Sequence, residues 1–183
     1  NMTFGYGKNK DGDELPPLFE NINMHIEAGE TVGISGGNAS GKTSLLYIIM
    51  GVLAPLEGAV RIDGNDISEF ASSSIRRQAS YLPQEGILFN GTILENITMF
   101  REDKIDDAMD ISKILGLDTV VAHMPQGYET KVGDGASDKL PRGFRQRIAI
   151  ARALVDKPRI LLFDEANTSM DGAGDATLKF LLE

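Results

Sequence analysis

At 183 residues, 42% of them hydrophobic, the chain can bury one good core and is too short for two independent domains of ordinary size. Its 18 basic and 27 acidic side chains leave a net charge of -9, which argues against nucleic-acid binding through bulk charge. The absence of cysteine excludes a disulfide framework and a thiolate metal site, and the isolated positions of His25 and His123 argue against a metal cluster.

Met2 to Tyr6 and Leu18 to Ile26 read as strands, joined by a polar loop from Gly7 to Pro17. A third β-like run, Thr31-Val32-Gly33-Ile34, leads into Gly36-Gly37-Asn38-Ala39-Ser40-Gly41-Lys42-Thr43, which fits the phosphate-binding pattern GxxxxGK[ST]. An apolar helical run follows from Ser44 to Leu53, and strand, loop and helix in that order are what a nucleotide site requires. Glycines at 36, 37 and 41 allow a tight turn whose N–H groups, with the N-terminus of the helix, face phosphate oxygens. Lys42 adds a mobile cation for the β- and γ-phosphates, and the Thr43 hydroxyl is placed for Mg²⁺. Ser44 completes the expected nucleotide contacts. The bland alternative, a chance glycine-rich turn, is disfavoured by the flanking strand and helix patterns.

Val60-Arg61-Ile62-Asp63-Gly64 reads as another strand ending in a turn. From Ser72 to Ala153 the pattern becomes mainly helical, with apolar residues at helical spacing in Ile105 to Leu117 and Ile148 to Leu154, as an inserted helical lobe would have. Arg159-Ile160-Leu161-Leu162-Phe163 is a continuous apolar run, expected to be a parallel strand buried on both faces. It closes on Asp164-Glu165, whose carboxylates then emerge at the carboxyl end of the sheet, where ligands bind. Asp164 is expected to hold Mg²⁺ through water, and Glu165 to polarise the water that attacks the γ-phosphate. A solvated turn is the alternative for Asp-Glu taken alone; the phosphate loop elsewhere in the chain favours the functional reading. The longest mainly apolar stretch, Leu45 to Ala54, is about half the length a membrane-spanning helix needs, and no signal peptide is visible. The chain opens on Asn1 and stops at Glu183 inside a helix-like run from Ala173, as a piece of something longer would.

With these residues together, the chain resembles the nucleotide-binding domain of ATP-binding cassette (ABC) transporters, exporter type, over nearly its whole length. Tyr81-Leu82-Pro83-Gln84 is similar to the family's Q-loop, and Leu88-Phe89-Asn90-Gly91-Thr92-Ile93 with Glu95-Asn96-Ile97 to the exporter segment that follows it. Thr130-Lys131-Val132-Gly133-Asp134-Gly135 resembles the X-loop, and Thr168-Ser169-Met170-Asp171 the D-loop. The resemblance implies an α/β fold: a P-loop NTPase core of mixed sheet around the phosphate-loop helix, with an antiparallel β subdomain and an inserted helical subdomain. Residues 1–183 would form a single ATP-binding domain, with about 1–71 and 154–183 as core and β subdomain, about 72–153 as Q-loop and helical subdomain, and its C-terminal part missing. Implied roles are stacking of Tyr6 on adenine, contact of Gln84 with Mg²⁺ or the attacking water, and a place for Asp171 in the dimer interface. Implied partners are an ABC transmembrane domain, in the same polypeptide or a partner, and a second ATP-binding domain in a head-to-tail dimer. The place of action would be the cytoplasmic face of the cell membrane, with ATP and Mg²⁺ as ligands and no nucleic acid.

The chain departs from the family pattern twice. Where the signature LSGGQ belongs it has Leu140-Pro141-Arg142-Gly143-Phe144. Pro141 supplies neither hydroxyl nor N–H, and Arg142 brings a long side chain where glycine permits close backbone approach, so closure over the partner's ATP should be impaired. Arg142 could instead supply charge to that phosphate, or simply face solvent. The family's switch histidine lies beyond Glu183. The chain is therefore expected to bind Mg·ATP and hydrolyse it slowly, if at all. The alternatives are a non-hydrolysing subunit of an asymmetric dimer and a soluble ABC ATPase outside transport.

Overall fold

The computed structural model describes residues 1–8, 10–133 and 140–165. Two compact units divide the chain, residues 1–76 and 77–183.

In the first unit, β1 (Met2–Phe4) pairs antiparallel with β2 (Phe19–Ile22), with an irregularity in register between Met2 and Phe4. Met2 and Phe4 point inward and pack with Leu45 and Ile48 of α1 (Lys42–Ile49), while Leu18, Phe19, Val60 and others close the margin. Leu45 and Ile48 lie three apart on one helical face, so a single stripe buries α1 against the hairpin. Two short strands, β3 (Arg61–Ile62) and β4 (Asn65–Asp66), form a hairpin through Asp63-Gly64, and α2 (Ser72–Arg76) ends the unit.

The second unit holds β5 (Ala79–Leu82) and β8 (Ile160–Phe163) as a parallel pair, with Tyr81 opposite Leu162 and Leu82 opposite Phe163. A second pair, β6 (Gly91–Thr92) with β7 (Lys131–Val132), is antiparallel. Between them lie α3 (Ile93–Thr98), α4 (Ile105–Ile114), α5 (Leu117–Val121) and α6 (Arg142–Leu154). A capping box starts α3: the Glu95 amide donates to Thr92 Oγ1 at 3.0 Å and the Thr92 amide to Glu95 Oε2 at 2.7 Å, so the loop from Gln84 to Thr92 enters the helix at a fixed angle. Ile93, Ile97, Leu117, Val132, Phe144, Ile148 and Ile150 form the core. Among the described residues no helix is long and apolar enough to cross a membrane.

Several expectations need correction. Among the described residues Thr31–Ile34 joins no strand pair, and Val32 and Ile34 are 40% and 37% exposed. β-Branched residues favour an extended backbone, but a strand exists only where a neighbour completes its ladder, and neither hairpin of the first unit pairs with this run. The stretch from Ser72 to Ala153 is mainly helical, as expected, and also carries the strands β5, β6 and β7. The expected helix from Ile105 to Leu117 is two, split where Gly116 takes φ 65 after the end of α4. All four residues of β8 are half-buried rather than enclosed on both faces. The helix expected over 173–183 lies outside the described residues.

Candidate functional site

The loop over 36–41 turns back on itself before α1. Ala39 and Gly41 take φ 62 and 92, both left-handed. At Gly41 a side chain would be strained twice over, because a Cβ there would also lie 2.9 Å from carbons of Leu18 and Phe19. Lys42 opens α1, and its Nζ donates to the carbonyls of Gly36 and Gly37, each at 3.0 Å, so the ammonium sits over the loop it belongs to. Asn38, Ala39, Ser40 and Thr43 are exposed. Ser44 is buried, and its hydroxyl shares a 2.7 Å hydrogen bond with the Tyr6 hydroxyl. The Tyr6 ring, 61% exposed, meets Phe4 edge to face at 5.1 Å. Two residues assigned to the nucleotide from sequence, 38 positions apart, thus touch each other.

In the second unit the ends of β5 and β8 gather the other candidates. The Asp164 amide donates to Leu82 O at 3.0 Å, carrying the ladder one residue past β8, and Tyr81 donates its hydroxyl proton to Asp164 Oδ2 at 2.9 Å. Glu165 is a non-glycine residue at φ 51, a left-handed conformation that costs on the order of 1 kcal/mol. Gln84 Nε2 donates to Glu165 Oε2 at 3.1 Å, so the Q-loop amide and the carboxylate expected to polarise water are direct partners across 81 positions. Among the described residues no group of three or more His, Asp or Glu could hold a metal. Within the second unit the Asp164 carboxylate stands by the amide of Gln84 and the carboxylate of Glu165, hard oxygen donors of the kind Mg²⁺ takes, and Mg²⁺ needs only one or two carboxylates.

The segment expected to be the signature begins α6. Pro141 is the N-cap, without a side-chain capping bond, and its carbonyl accepts from the amides of Phe144 and Arg145 at 3.0 and 3.1 Å. Arg142 is exposed and donates to Glu85 Oε1 at 3.4 Å, a long and solvated ion pair of small energetic weight. Leu140 packs at the edge of the core, Gly143 is half-buried, and Phe144 is 5% exposed within the core. A Cβ on Gly86 would come 2.7 Å from Arg145 O, so the chain just after Gln84 runs against the backbone of α6. Thr130 to Gly133 of the expected X-loop includes β7; Asp134, Gly135 and Asp171 lie outside the described residues.

Sequence reasoning missed one polar hub. Arg152, in the last turn of α6, donates from Nε to Asn96 O at 2.8 Å, from Nη2 to Asn96 Oδ1 at 2.7 Å and from Nη1 to Ile87 O at 2.9 Å, and its guanidinium stands 4.5 Å from the centre of the Phe89 ring. Asn96 is fully buried and donates to the carbonyls of Phe89 and Thr92, both at 2.9 Å. Burial pushes the Arg152 pKa down to about 10, which still leaves it charged at neutral pH. The hub ties α6 to the loop after Gln84. Only the helical spacing of α6 is visible in sequence; that one of its arginines turns inward is not. Arg152→Met is expected to lower stability by roughly 2–3 kcal/mol, since it strips three acceptors of a charged donor, with Arg152→Lys recovering only part. Urea unfolding monitored by circular dichroism checks this; an unchanged midpoint would mean that water replaces the guanidinium without cost.

Comparison with known proteins follows the same lines. The family described as ABC transporter matches residues 19–168. The chain is 38% identical over 162 residues to the "Type I secretion system ATP-binding protein PrsD" of Rhizobium meliloti, covering 88% of this chain and 28% of that protein. It is 36% identical over 172 residues to the "Alpha-hemolysin translocation ATP-binding protein HlyB" of Escherichia coli O6:H1, covering 93% and 24%. Among solved structures, a bacterial Atm1-family ABC exporter with ATP bound superposes on the whole chain with a TM-score of 0.87 at 33% identity, the match covering 32% of that exporter. The chain therefore spans about a quarter to a third of the relatives it matches.

Proposed function

The chain belongs to the ABC transporter family, and from that premise we propose that it is the ATP-binding domain of an exporter, which couples ATP binding and hydrolysis to movement of a membrane domain. The observation that carries the reading is the hydrogen bond between Gln84 and Glu165 beside Asp164, because it joins an amide able to sense a nucleotide with a carboxylate able to act as base. In this reading the loop amides and Lys42 bind the β- and γ-phosphates of ATP. Lys42 exchanges the Gly36 and Gly37 carbonyls for phosphate oxygens, which bind an ammonium more strongly because they are charged. Tyr6 stacks on the adenine and releases Ser44 to the phosphates. Thr43, Gln84 and Asp164 would hold Mg²⁺, which when bound neutralises charge on the phosphates. Glu165 takes up the proton of the attacking water, and Gln84 orients that carboxylate.

The signature region argues for slow turnover. Pro141 has no hydroxyl to offer a partner's γ-phosphate, and Arg142 puts a long, exposed side chain where the family pattern has glycine. A second ATP-binding domain with an ordinary signature would still serve the nucleotide held here. The membrane domain is proposed as the partner on which the work is done, at the cytoplasmic face of a membrane.

Calorimetric titration of ATP into the 183-residue chain, with and without Mg²⁺, beside a phosphate-release assay on the same sample, tests the proposal. Binding that strengthens with Mg²⁺, with slow release, is the expected result. Absence of binding would overturn the site. Rapid release would overturn the argument from Pro141 and Arg142.

A further inference from the structure

We infer that Tyr81 is a positioning residue for Asp164, holding its carboxylate in the orientation that Mg²⁺ bound with ATP requires; this rests on the reading of Asp164 given above. The inference comes from strand geometry. In the parallel pair of β5 and β8, Tyr81 stands opposite Leu162. Side chains alternate along a strand, so Asp164, two residues beyond Leu162, lies on the same face as Tyr81 and one diagonal step away. The Asp164 amide, bonded to Leu82 O, keeps this register to the last residue. An aromatic side chain has the reach for such a diagonal contact, and the Tyr81 hydroxyl arrives 2.9 Å from Asp164 Oδ2 in a half-buried setting. A hydroxyl can donate, an ionised carboxylate only accepts, and the bond is charge-assisted.

Its consequence is rotational. The phenol holds one oxygen of the Asp164 carboxylate and so restricts rotation about its side-chain bonds. Mg²⁺ tolerates little departure from octahedral geometry, so a ligand set in advance is worth more to it than to a larger cation. Groups that hold a metal-binding carboxylate typically change metal affinity 10- to 100-fold when removed.

The test is Tyr81→Phe, which keeps the ring and its packing and removes only the hydroxyl. ATP affinity is measured by calorimetry in Mg²⁺ and in EDTA for the wild type, Tyr81→Phe, Asp164→Asn and the double variant, with thermal melts alongside. Expected for Tyr81→Phe is an unchanged affinity in EDTA and an affinity about 10-fold weaker in Mg²⁺, with no further loss when the change is added to Asp164→Asn. Three results would overturn the inference: an unchanged Mg²⁺ advantage, an equal loss with and without Mg²⁺, or a loss that persists undiminished in the Asp164→Asn background. A lower melting midpoint with the Mg²⁺ advantage intact falls under the first and would make Tyr81 structural only. The underlying reading fails separately: Asp164→Asn with the full Mg²⁺ advantage of the wild type would remove Asp164 from the metal site whatever Tyr81 does.

Discussion

Glu165→Gln is expected to leave Mg·ATP affinity within about twofold of the wild type and to lower phosphate release by on the order of 10²- to 10⁴-fold, the usual contribution of a general base. The substitution preserves size and the contact with Gln84, because the new amide oxygen can still accept from Gln84 Nε2, now 3.1 Å from Glu165 Oε2. The left-handed backbone at position 165 is tolerated equally by either side chain, since neither is branched at Cβ. Only the ability to accept a proton is lost. Slow wild-type release limits the range over which the loss can be seen, so single-turnover assays with radiolabelled ATP are the appropriate measurement. Release by the variant at the wild-type rate would show that Glu165 is not the base and that its contact with Gln84 is structural.

Lys42→Ala acts on binding instead. Removing an ammonium that makes two charge-assisted bonds to phosphate should weaken Mg·ATP binding on the order of 100-fold, from about 1.5–3 kcal/mol per bond less what water recovers. Without nucleotide the same ammonium is bonded to the Gly36 and Gly37 carbonyls at an exposed site, so its loss should change stability by no more than about 0.5 kcal/mol. The two measurements together separate ligand recognition from loop integrity. Unchanged affinity by calorimetry would sink the assignment of the loop, and a large drop in stability would mean that Lys42 serves mainly to hold the loop closed.

The parts of the site legible in sequence are those whose chemistry is confined to a few neighbouring positions. A phosphate loop needs its glycines and lysine within eight residues, so it can be read without knowing the fold. The family itself was legible for the same reason. Thr31–Ile34 shows the limit: its residue types favour a strand, but the ladder depends on a neighbour, and the run stays outside the strand pairs of the described residues. Phe144 shows another, since a residue assigned by position to a signature facing a partner lies in the core, on the inward stripe of α6 with Ile148.

The sequence by itself determined the family, the α/β composition, the phosphate loop ahead of α1 and the carboxylates that follow an apolar strand, because each is written in local spacing. Only the tertiary structure decided which distant groups meet. Tyr81 reaches Asp164 across 83 positions because β5 and β8 run parallel in one register, Gln84 meets Glu165 where those strands end, and Arg152 turns inward to Asn96 because α6 lies along α3. Such pairings depend on register and on packing angle, and a change of one residue in either would leave every motif intact and move every partner.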